Sequence, residues 1–278
     1  MNDLASAIES NVTAALTEDI GSGDRTAQLI ATNADATASV ICRSDAVICG
    51  ALWFDACFRK LEPKSEIRWL VSEGDKVNAG QKLCGVRATS RALLTVERTA
   101  LNFLQLLSAV ATATRHYVDA VACTRAKIVD TRKTLPGLRM AEKYAVRVGG
   151  GVNHRSGLYD AILIKENHIM AAGGIGAALS AAARIAAPGV WIQIEVENLD
   201  QLRQALAAGA KMIMLDNMNL DQMREAVRIT AGRAELEASG GITLDRVRAV
   251  AETGVDRISI GSLTKDIKAV DLSMRFDS

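Results

Sequence analysis

Aromatic side chains are scarce in this chain: Phe, Trp and Tyr together make 4% of it. Unpaired nucleobases need aromatic faces to stack on, so a single-strand nucleic-acid platform is excluded. An excess of either charge is missing too, because 33 Lys and Arg stand against 32 Asp and Glu. A general polyanion binder carries a larger basic excess. Any anion site must therefore be local and offset by acids elsewhere. No Cys-x-x-Cys pair occurs among the five cysteines, Cys42, Cys49, Cys57, Cys84 and Cys123. An odd count without that spacing argues against a disulfide scaffold or a zinc site. The five read as small buried hydrophobes in a reducing cytoplasm. The first residues include Asp3 and Glu9 and lack the apolar core of a signal peptide. The uncharged run Thr99–Thr114 covers 16 residues and is broken by Asn102, Gln105 and Ser108. It is too short and too polar to span a bilayer. Neither nucleic acid nor membrane is an expected partner, and the expected location is cytoplasmic.

What remains is globular: 278 residues, 49% apolar and 23% charged, or room for about two domains. The pattern divides near residue 110. Before it, helical and strand signals mix. Residues 3–16 have helical spacing, 36–50 read as strands, and 52–61 read as a helix ending near Pro63. Short strands at 67–71 and 82–86 flank Glu73-Gly-Asp-Lys-Val-Asn-Ala-Gly80. That turn superficially resembles a lipoyl hairpin, but no suitably flanked lysine is present and plain turn chemistry accounts for it. Residues 91–120 form a long amphipathic helix.

From Ala126 onward, short apolar runs alternate with helical segments. The runs are 126–130, 161–165, 191–196, 210–216, 234–239 and 257–261; the helices fall at 176–187, 199–208, 219–231 and 243–253. Strand then helix at this spacing means parallel βαβ units. Every run ends in polar residues: Asp130-Thr-Arg-Lys133, Lys165-Glu-Asn-His168, Glu195-Val-Glu-Asn198, Asp216-Asn217, Ser239-Gly-Gly241 and Gly261-Ser262. An open doubly wound sheet would gather such residues at one switch point. Six polar strand ends favour instead a β/α barrel, whose active site is built from all of them. The expected fold is a truncated parallel β/α barrel of about six units at 111–264, with an N-terminal α/β domain at 1–110.

The strand ends collect cations (Arg132, Lys133, Arg139, Arg155 and Lys165, with His154 able to join) and carboxylates (Glu195 and Asp216). Glu197 is weaker, since strand alternation turns it to the other face. The glycines and serines of the last two ends suit backbone N–H donors around a phosphate, where barrels commonly bind one. Bidentate arginines suit carboxylates, and the acidic pair suits Mg²⁺ carried in with substrate phosphates. Bland readings exist. Lys165 could only pair with Glu195; glycines 149–151 could be a loop; Ser239-Gly-Gly241 could be an ordinary turn; His154 and His168 could be structural. Several cations on one rim are harder to dismiss, because unpaired they repel.

Over essentially its whole length the sequence resembles the quinolinate phosphoribosyltransferase family, also called nicotinate-nucleotide pyrophosphorylase (carboxylating). The resemblance rests on Glu18-Asp-Ile-Gly-Ser-Gly-Asp-Arg-Thr26, Glu97-Arg-Thr-Ala-Leu-Asn102 and Thr131-Arg-Lys-Thr-Leu-Pro-Gly-Leu-Arg139. It continues through Glu142-Lys-Tyr-Ala145, Gly149-Gly-Gly-Val-Asn-His-Arg155 and Leu163-Ile-Lys-Glu-Asn-His168. Glu195-Val-Glu197, Leu215-Asp-Asn217, Glu237-Ala-Ser-Gly-Gly241 and Gly261-Ser-Leu-Thr264 complete it. Leu135 and Glu166 depart mildly, standing where members often have Thr and Asp.

The resemblance implies a reaction: phosphoribosyl pyrophosphate (PRPP) and quinolinate give nicotinate mononucleotide, pyrophosphate and CO2. It also implies an N-terminal domain that is an α/β sandwich, to which residues 265–278 return, and a homodimer. Lys133 with Mg²⁺ would neutralise the leaving pyrophosphate, and Glu195 and Asp216 would hold the metal or the ribose hydroxyls. Ser239, Gly240, Gly241, Gly261 and Ser262 would cradle the 5′-phosphate, with Thr131 and Ile260 lining the same strand ends. Arg132, Arg155, Lys165 and His154 would hold quinolinate, joined by Arg98 from the partner subunit. Two other readings stay open at this point: a paralogue of the same fold, associated with molybdenum uptake or using nicotinate without decarboxylation, and a Schiff-base aldolase using Lys165. A non-catalytic phosphate-binding regulator is disfavoured by the full set of polar groups on the rim.

Overall fold

The computed structural model describes residues 4–31 and 34–277. Residue 3 of the expected first helix and residue 278 of the expected C-terminal return lie outside the described residues. In chain order the elements begin with α1 (Leu4–Ile20), β1 (Asp35–Cys42), β2 (Ala46–Val47), α2 (Ala51–Leu61), β3 (Glu66–Trp69), β4 (Lys76–Val77), β5 (Lys82–Thr89) and α3 (Ser90–Ala120). Then follow β6 (Lys127–Val129), α4 (Arg139–Val148), β7 (Ala161–Ile164), α5 (Glu166–Ala172), α6 (Ile175–Ile185), β8 (Trp191–Val196) and α7 (Leu199–Ala207). The last are β9 (Met212–Asp216), α8 (Leu220–Thr230), β10 (Glu235–Ser239), α9 (Leu244–Ala251), β11 (Arg257–Ser259), α10 (Ser262–Lys265) and β12 (Leu272–Phe276). Among the described residues no single helix is long and apolar enough to cross a membrane.

Two compact units share the chain. One comprises residues 1–115, 134–150 and 263–278; the other comprises 116–133 and 151–262. The division by contacts falls inside α3, between residues 115 and 116, and the segment bearing α4 groups with the N-terminal residues.

The first unit is built on an antiparallel sheet of order β12-β1-β5-β3. The C-terminal strand β12 pairs along β1, Met274 opposite Val40. Alternation on β1 and β5 buries Val40, Cys42, Cys84 and Val86, and Trp53, Phe54, Cys57 and Phe58 of α2 add to that core. The turn after β3 does more than reverse the chain. Glu73 Oε1 accepts the Gly50 and Ala51 backbone N–H groups at 2.9 and 2.7 Å, satisfying donors left open at the head of α2. The short strand β4 within the same connection pairs β2. On α4, Tyr144 meets Trp53 at a tilt, ring centroids 5.5 Å apart, and Asn11 of α1 donates to the Gly137 carbonyl at 3.0 Å. Four of the cysteines are buried as expected; Cys123 is exposed, because it lies in the turn after α3 with φ of 64°.

The second unit is a six-stranded parallel sheet of order β6-β11-β10-β9-β8-β7. That order is the chain order rotated by one place, since the last strand returns beside the first. A doubly wound sheet would place its first strand inside the sheet, so the order describes a barrel with one seam, between β6 and β7. Among the described residues these two do not pair directly. Val152 enters the seam instead: its N–H donates to the Ile128 carbonyl at 2.8 Å, and its carbonyl accepts from the Asp130 N–H at 3.2 Å.

A close contact in the first unit can be tested. Gly149 ends α4 so near α3 that an added Cβ would stand 2.6 Å from the Ala111 carbonyl oxygen and from Thr114 Cβ. Backbone cannot give way cheaply, so Gly149→Ala should destabilise the protein by about 2 kcal/mol, the usual cost of overpacking. A urea midpoint unchanged from wild type would show that these helices have slack.

Candidate active site

The strands of the second unit all run one way, so their C-terminal ends share a rim. On β8 the residues alternate Ile192, Gln193, Ile194, Glu195, Val196, placing Gln193 and Glu195 on one face. On β9 the register sets Asp216 beside Ser239 of β10. On β11 the chain closes back to β6, with Ser259 opposite Val129. The sequence-derived positions Thr131, Arg132, Lys133, Lys165, Glu195, Asp216, Ser239 and Gly261 thus stand at or just past consecutive strand ends.

The seam places two further residues. Directly after Val152, Asn153 Nδ2 donates to Asp130 Oδ2 at 2.6 Å, and the His154 backbone N–H donates to Asp130 Oδ1 at 2.8 Å. Arg155 then reaches the head of β7 and donates from Nη1 to the Ala161 carbonyl at 3.3 Å. Asp130 is fully buried, so a charged acceptor pins the segment that delivers His154 and Arg155. Burial, then the nearby Arg132 guanidinium, pulls the Arg155 pKa below its ordinary value, with Asp160 opposing. Two guanidiniums are therefore held within reach of each other's field. Their repulsion is relieved most directly by an anion with more than one charge.

The opposite side of the mouth mixes signs. Lys165 Nζ donates to Glu195 Oε2 at 2.9 Å, so the pairing read as a bland alternative is present. Lys165 is half-exposed while Glu195 is largely covered. Asp216 has its pKa raised by burial first and by the Glu195 carboxylate second, with Lys165, Asn217 and Lys133 opposing. Asn217 Nδ2 donates to Asp216 Oδ2 at 2.8 Å, and Asn217 itself sits at positive φ, 53°. An added Cβ at Gly240 would strike the Asn217 side chain, and Gly240 has φ of +112°. Glycine is needed there on both counts. Asn217 is thus a rim residue that the sequence motif contained without a role.

At the other end of the rim, the Lys133 N–H donates to Thr131 Oγ1 at 3.0 Å. A Cβ on Gly261 would lie 3.3 Å from Lys133 Cδ, so Lys133 passes directly over the strand end that opens into Ser262. Ile260 is buried, its N–H donating to the Val129 carbonyl at 2.9 Å. Gly241 follows Gly240 at positive φ, which turns successive backbone groups into the space before α9. His168 Nδ1 accepts the Lys165 backbone N–H at 3.0 Å. Glu197 is exposed, its N–H donating to Gln201 Oε1 at 2.7 Å.

Arg98 and Arg139 belong to the first unit. Arg98 is exposed on α3, and its charge counters the burial that raises the Glu97 pKa. Arg139, expected among the rim cations, lies on α4 in the first unit. Its Nε donates to Thr134 Oγ1 at 3.0 Å.

Among the described residues no cluster of three or more His, Cys, Asp or Glu could enclose a metal ion. The Glu195 and Asp216 pair fits Mg²⁺ nonetheless. Mg²⁺ is usually held by one or two carboxylates plus substrate phosphates and water rather than by an all-protein cage. Burial first and the Glu195 charge second raise the Asp216 pKa, and two like charges on adjacent strand ends favour a shared cation.

Comparison with known proteins gives a consistent result. A family model described as "Quinolinate phosphoribosyl transferase, C-terminal domain" matches residues 110–275, and its N-terminal counterpart matches residues 22–108. A Bacillus subtilis protein named probable nicotinate-nucleotide pyrophosphorylase (carboxylating) is 44% identical over 92% of this chain and 89% of its own length. A Nicotiana tabacum mitochondrial quinolinate phosphoribosyltransferase (decarboxylating) is 37% identical over 95% of this chain and 80% of its own. The solved nicotinate-nucleotide pyrophosphorylase of Francisella tularensis superposes with a TM-score of 0.94 at 45% identity, covering 98% of this chain and 96% of its own.

The carboxylate pair generates a measurable expectation. Glu195→Gln removes a like charge and frees Lys165, and both effects favour ionised Asp216. The Asp216 pKa should fall, though burial keeps it above the ordinary value. A ¹³C NMR titration of the aspartate carboxyls reads this. An unmoved Asp216 would mean that the two carboxylates do not sense each other.

Proposed function

This chain belongs to the quinolinate phosphoribosyltransferase family, and from that premise we propose how its barrel rim carries out the decarboxylating phosphoribosyl transfer of NAD biosynthesis. The observation that carries the proposal is the gathering of Arg132, Lys133, Lys165, Glu195, Asp216 and Ser239 at the ends of parallel strands, with His154 and Arg155 delivered by the segment pinned to Asp130. Quinolinate bears two carboxylates on adjacent ring carbons, and two guanidiniums with Lys165 match that charge. Clamping both carboxylates aims the ring nitrogen at C1 of the ribose of PRPP.

Bond breaking at that carbon builds positive charge on the ribose and negative charge on pyrophosphate. Lys133 would neutralise the leaving group. Glu195 and Asp216 hold the ribose hydroxyls, and they would also hold Mg²⁺, which when bound supplies further charge neutralisation to the pyrophosphate. Ser239, Gly240, Gly241, Gly261 and Ser262 receive the 5′-phosphate. The nitrogen lone pair forms the new bond to C1 as the bond to pyrophosphate breaks. The alkylated ring is then an electron sink: the adjacent carboxylate leaves as CO2, its bonding pair stays on the ring carbon, and that carbon takes up a proton. No protein nucleophile is required, so positioning and charge carry the catalysis. The ion pair that engages Lys165 with Glu195 suits a binding role rather than Schiff-base chemistry, which uses a neutral amine.

The subunit arrangement is part of the proposal and rests on the family resemblance: a homodimer in which Arg98 serves the partner's site. Its exposure on α3 leaves the guanidinium available for that use. A surface salt bridge, worth ~1 kcal/mol or less, is the competing role.

Release of ¹⁴CO2 from carboxyl-labelled quinolinate, dependent on both PRPP and Mg²⁺, tests the reaction. In the same assay format nicotinate should be used at least ~100-fold less efficiently, because its single carboxylate leaves part of a half-buried cationic site unmatched. Comparable kcat/KM for the two acids would remove the dicarboxylate assignment. The shared site predicts complementation. Arg98→Ala and Lys165→Ala should each be nearly inactive, yet co-refolding equal amounts should recover roughly a quarter of wild-type activity, since half the dimers are mixed and each has one intact site. No recovery with mixed dimers present would place Arg98 outside the partner's site.

A further inference from the structure

The floor of the barrel mouth is polar, which is unusual where β/α barrels normally pack branched aliphatic side chains. Glu237 on β10 and Gln193 on β8 are each 1% exposed, and Ser259 on β11 and His154 are each 7% exposed. They form one chain. The Ser259 hydroxyl donates to Glu237 Oε1. Gln193 Nε2 donates to Glu237 Oε2 at 3.1 Å, and His154 Nε2 lies 2.9 Å from Gln193 Oε1. Glu237 Oε1 is a further 3.8 Å from His154 Nε2. Trp191 meets the imidazole edge-to-face at 4.9 Å, which fixes the plane of the ring.

The direction of each bond follows from what each group can do. A carboxylate only accepts, so the Gln193 amide nitrogen must face Glu237. The Gln193 oxygen must then face His154. An amide oxygen only accepts, so His154 Nε2 must carry a proton. The identity of a residue two links away therefore dictates the tautomer of the histidine.

We infer that Glu237 is a positioning residue, which through Gln193 holds His154 with its proton on Nε2 and so sets the ring that serves quinolinate. The assignment to quinolinate rests on the function proposed above; the tautomer does not. Isosteric Glu237→Gln reverses the chain. Ser259 would still donate to the residue 237 oxygen, leaving its amide nitrogen toward Gln193. Gln193 would turn over and present its own nitrogen to His154, driving the proton to Nδ1. The double variant Glu237→Gln with Gln193→Glu restores an acceptor-only group beside His154, and with it the original tautomer.

The experiment is ¹⁵N–¹H NMR of the imidazole rings in substrate-free protein at a pH where they are neutral, made tractable by a total of three histidines. It is paired with steady-state kinetics. Wild type should show a protonated Nε2 on His154. Glu237→Gln should move the proton to Nδ1 and raise the quinolinate KM roughly tenfold, the scale of one hydrogen bond to a charged group, with the PRPP KM unchanged. The double variant should restore both readouts. A loss of packing alone would raise both KM values and would not be rescued by the exchange. Wild-type His154 protonated on Nδ1, or a tautomer indifferent to residue 237, would overturn the inference, and the wild-type spectrum decides even where a variant fails to fold. Wild type inactive on quinolinate would instead overturn the proposed function and leave the tautomer standing.

Discussion

Burial first, and the charge of Arg132 second, hold the Arg155 pKa below its ordinary value, and the barrel beneath these side chains fixes the segment that carries them. Like charges at a partly buried site move apart or lose protons unless the backbone beneath them is fixed. Here the fixing is done by Asp130, fully buried and accepting from both Asn153 and the His154 backbone. That carboxylate could not remain buried unless donors met it. Val152 satisfies the free edge of β6 and delivers those donors. The seam of the barrel and the cationic site are therefore one feature: the gap between β6 and β7 is where the chain can bring a loop inward.

The same logic explains the polar floor. A barrel that must orient a histidine from below cannot close its interior with aliphatic side chains alone. Each buried polar group then requires another, and the chain ends only at a group whose capacity is filled. Glu237 takes bonds from both Ser259 and Gln193, which is how a carboxylate 1% exposed is tolerated in so dry a place.

Much of this is legible in the sequence, for reasons that can be named. Strand β8 matches its expected bounds because Trp191–Val196 lies between Gly189 and Asn198, a turn residue and the cap of α7. The rim positions follow from polarity at strand ends. Helix α4 escapes a periodicity reading because its buried face includes Glu142 and Lys143, so the apolar spacing underreports it. Helix α5 escapes because none of its residues is buried, and periodicity has nothing to report. Gln193 and Glu237 do leave a signal. Each is a polar residue on the same strand face as a proposed site residue, Glu195 and Ser239 respectively, in strands otherwise rich in apolar residues. Polar side chains in step with a site residue, one layer deeper, mark the support of that site.

A reaction without a protein nucleophile depends on that support more than most. When the enzyme contributes a covalent step, a small misplacement of neighbouring groups is partly absorbed by the strength of the bond formed. When it contributes only orientation and field, the advantage is entropic and electrostatic, and both decay over fractions of an ångström. Arg132, Arg155 and Lys165 can be supplied by any chain that ends its strands in cations. What distinguishes this barrel is that the groups beneath them are bonded in only one direction. His154, held by its backbone to Asp130 and by its ring to Gln193, has neither a rotation nor a proton position left to choose.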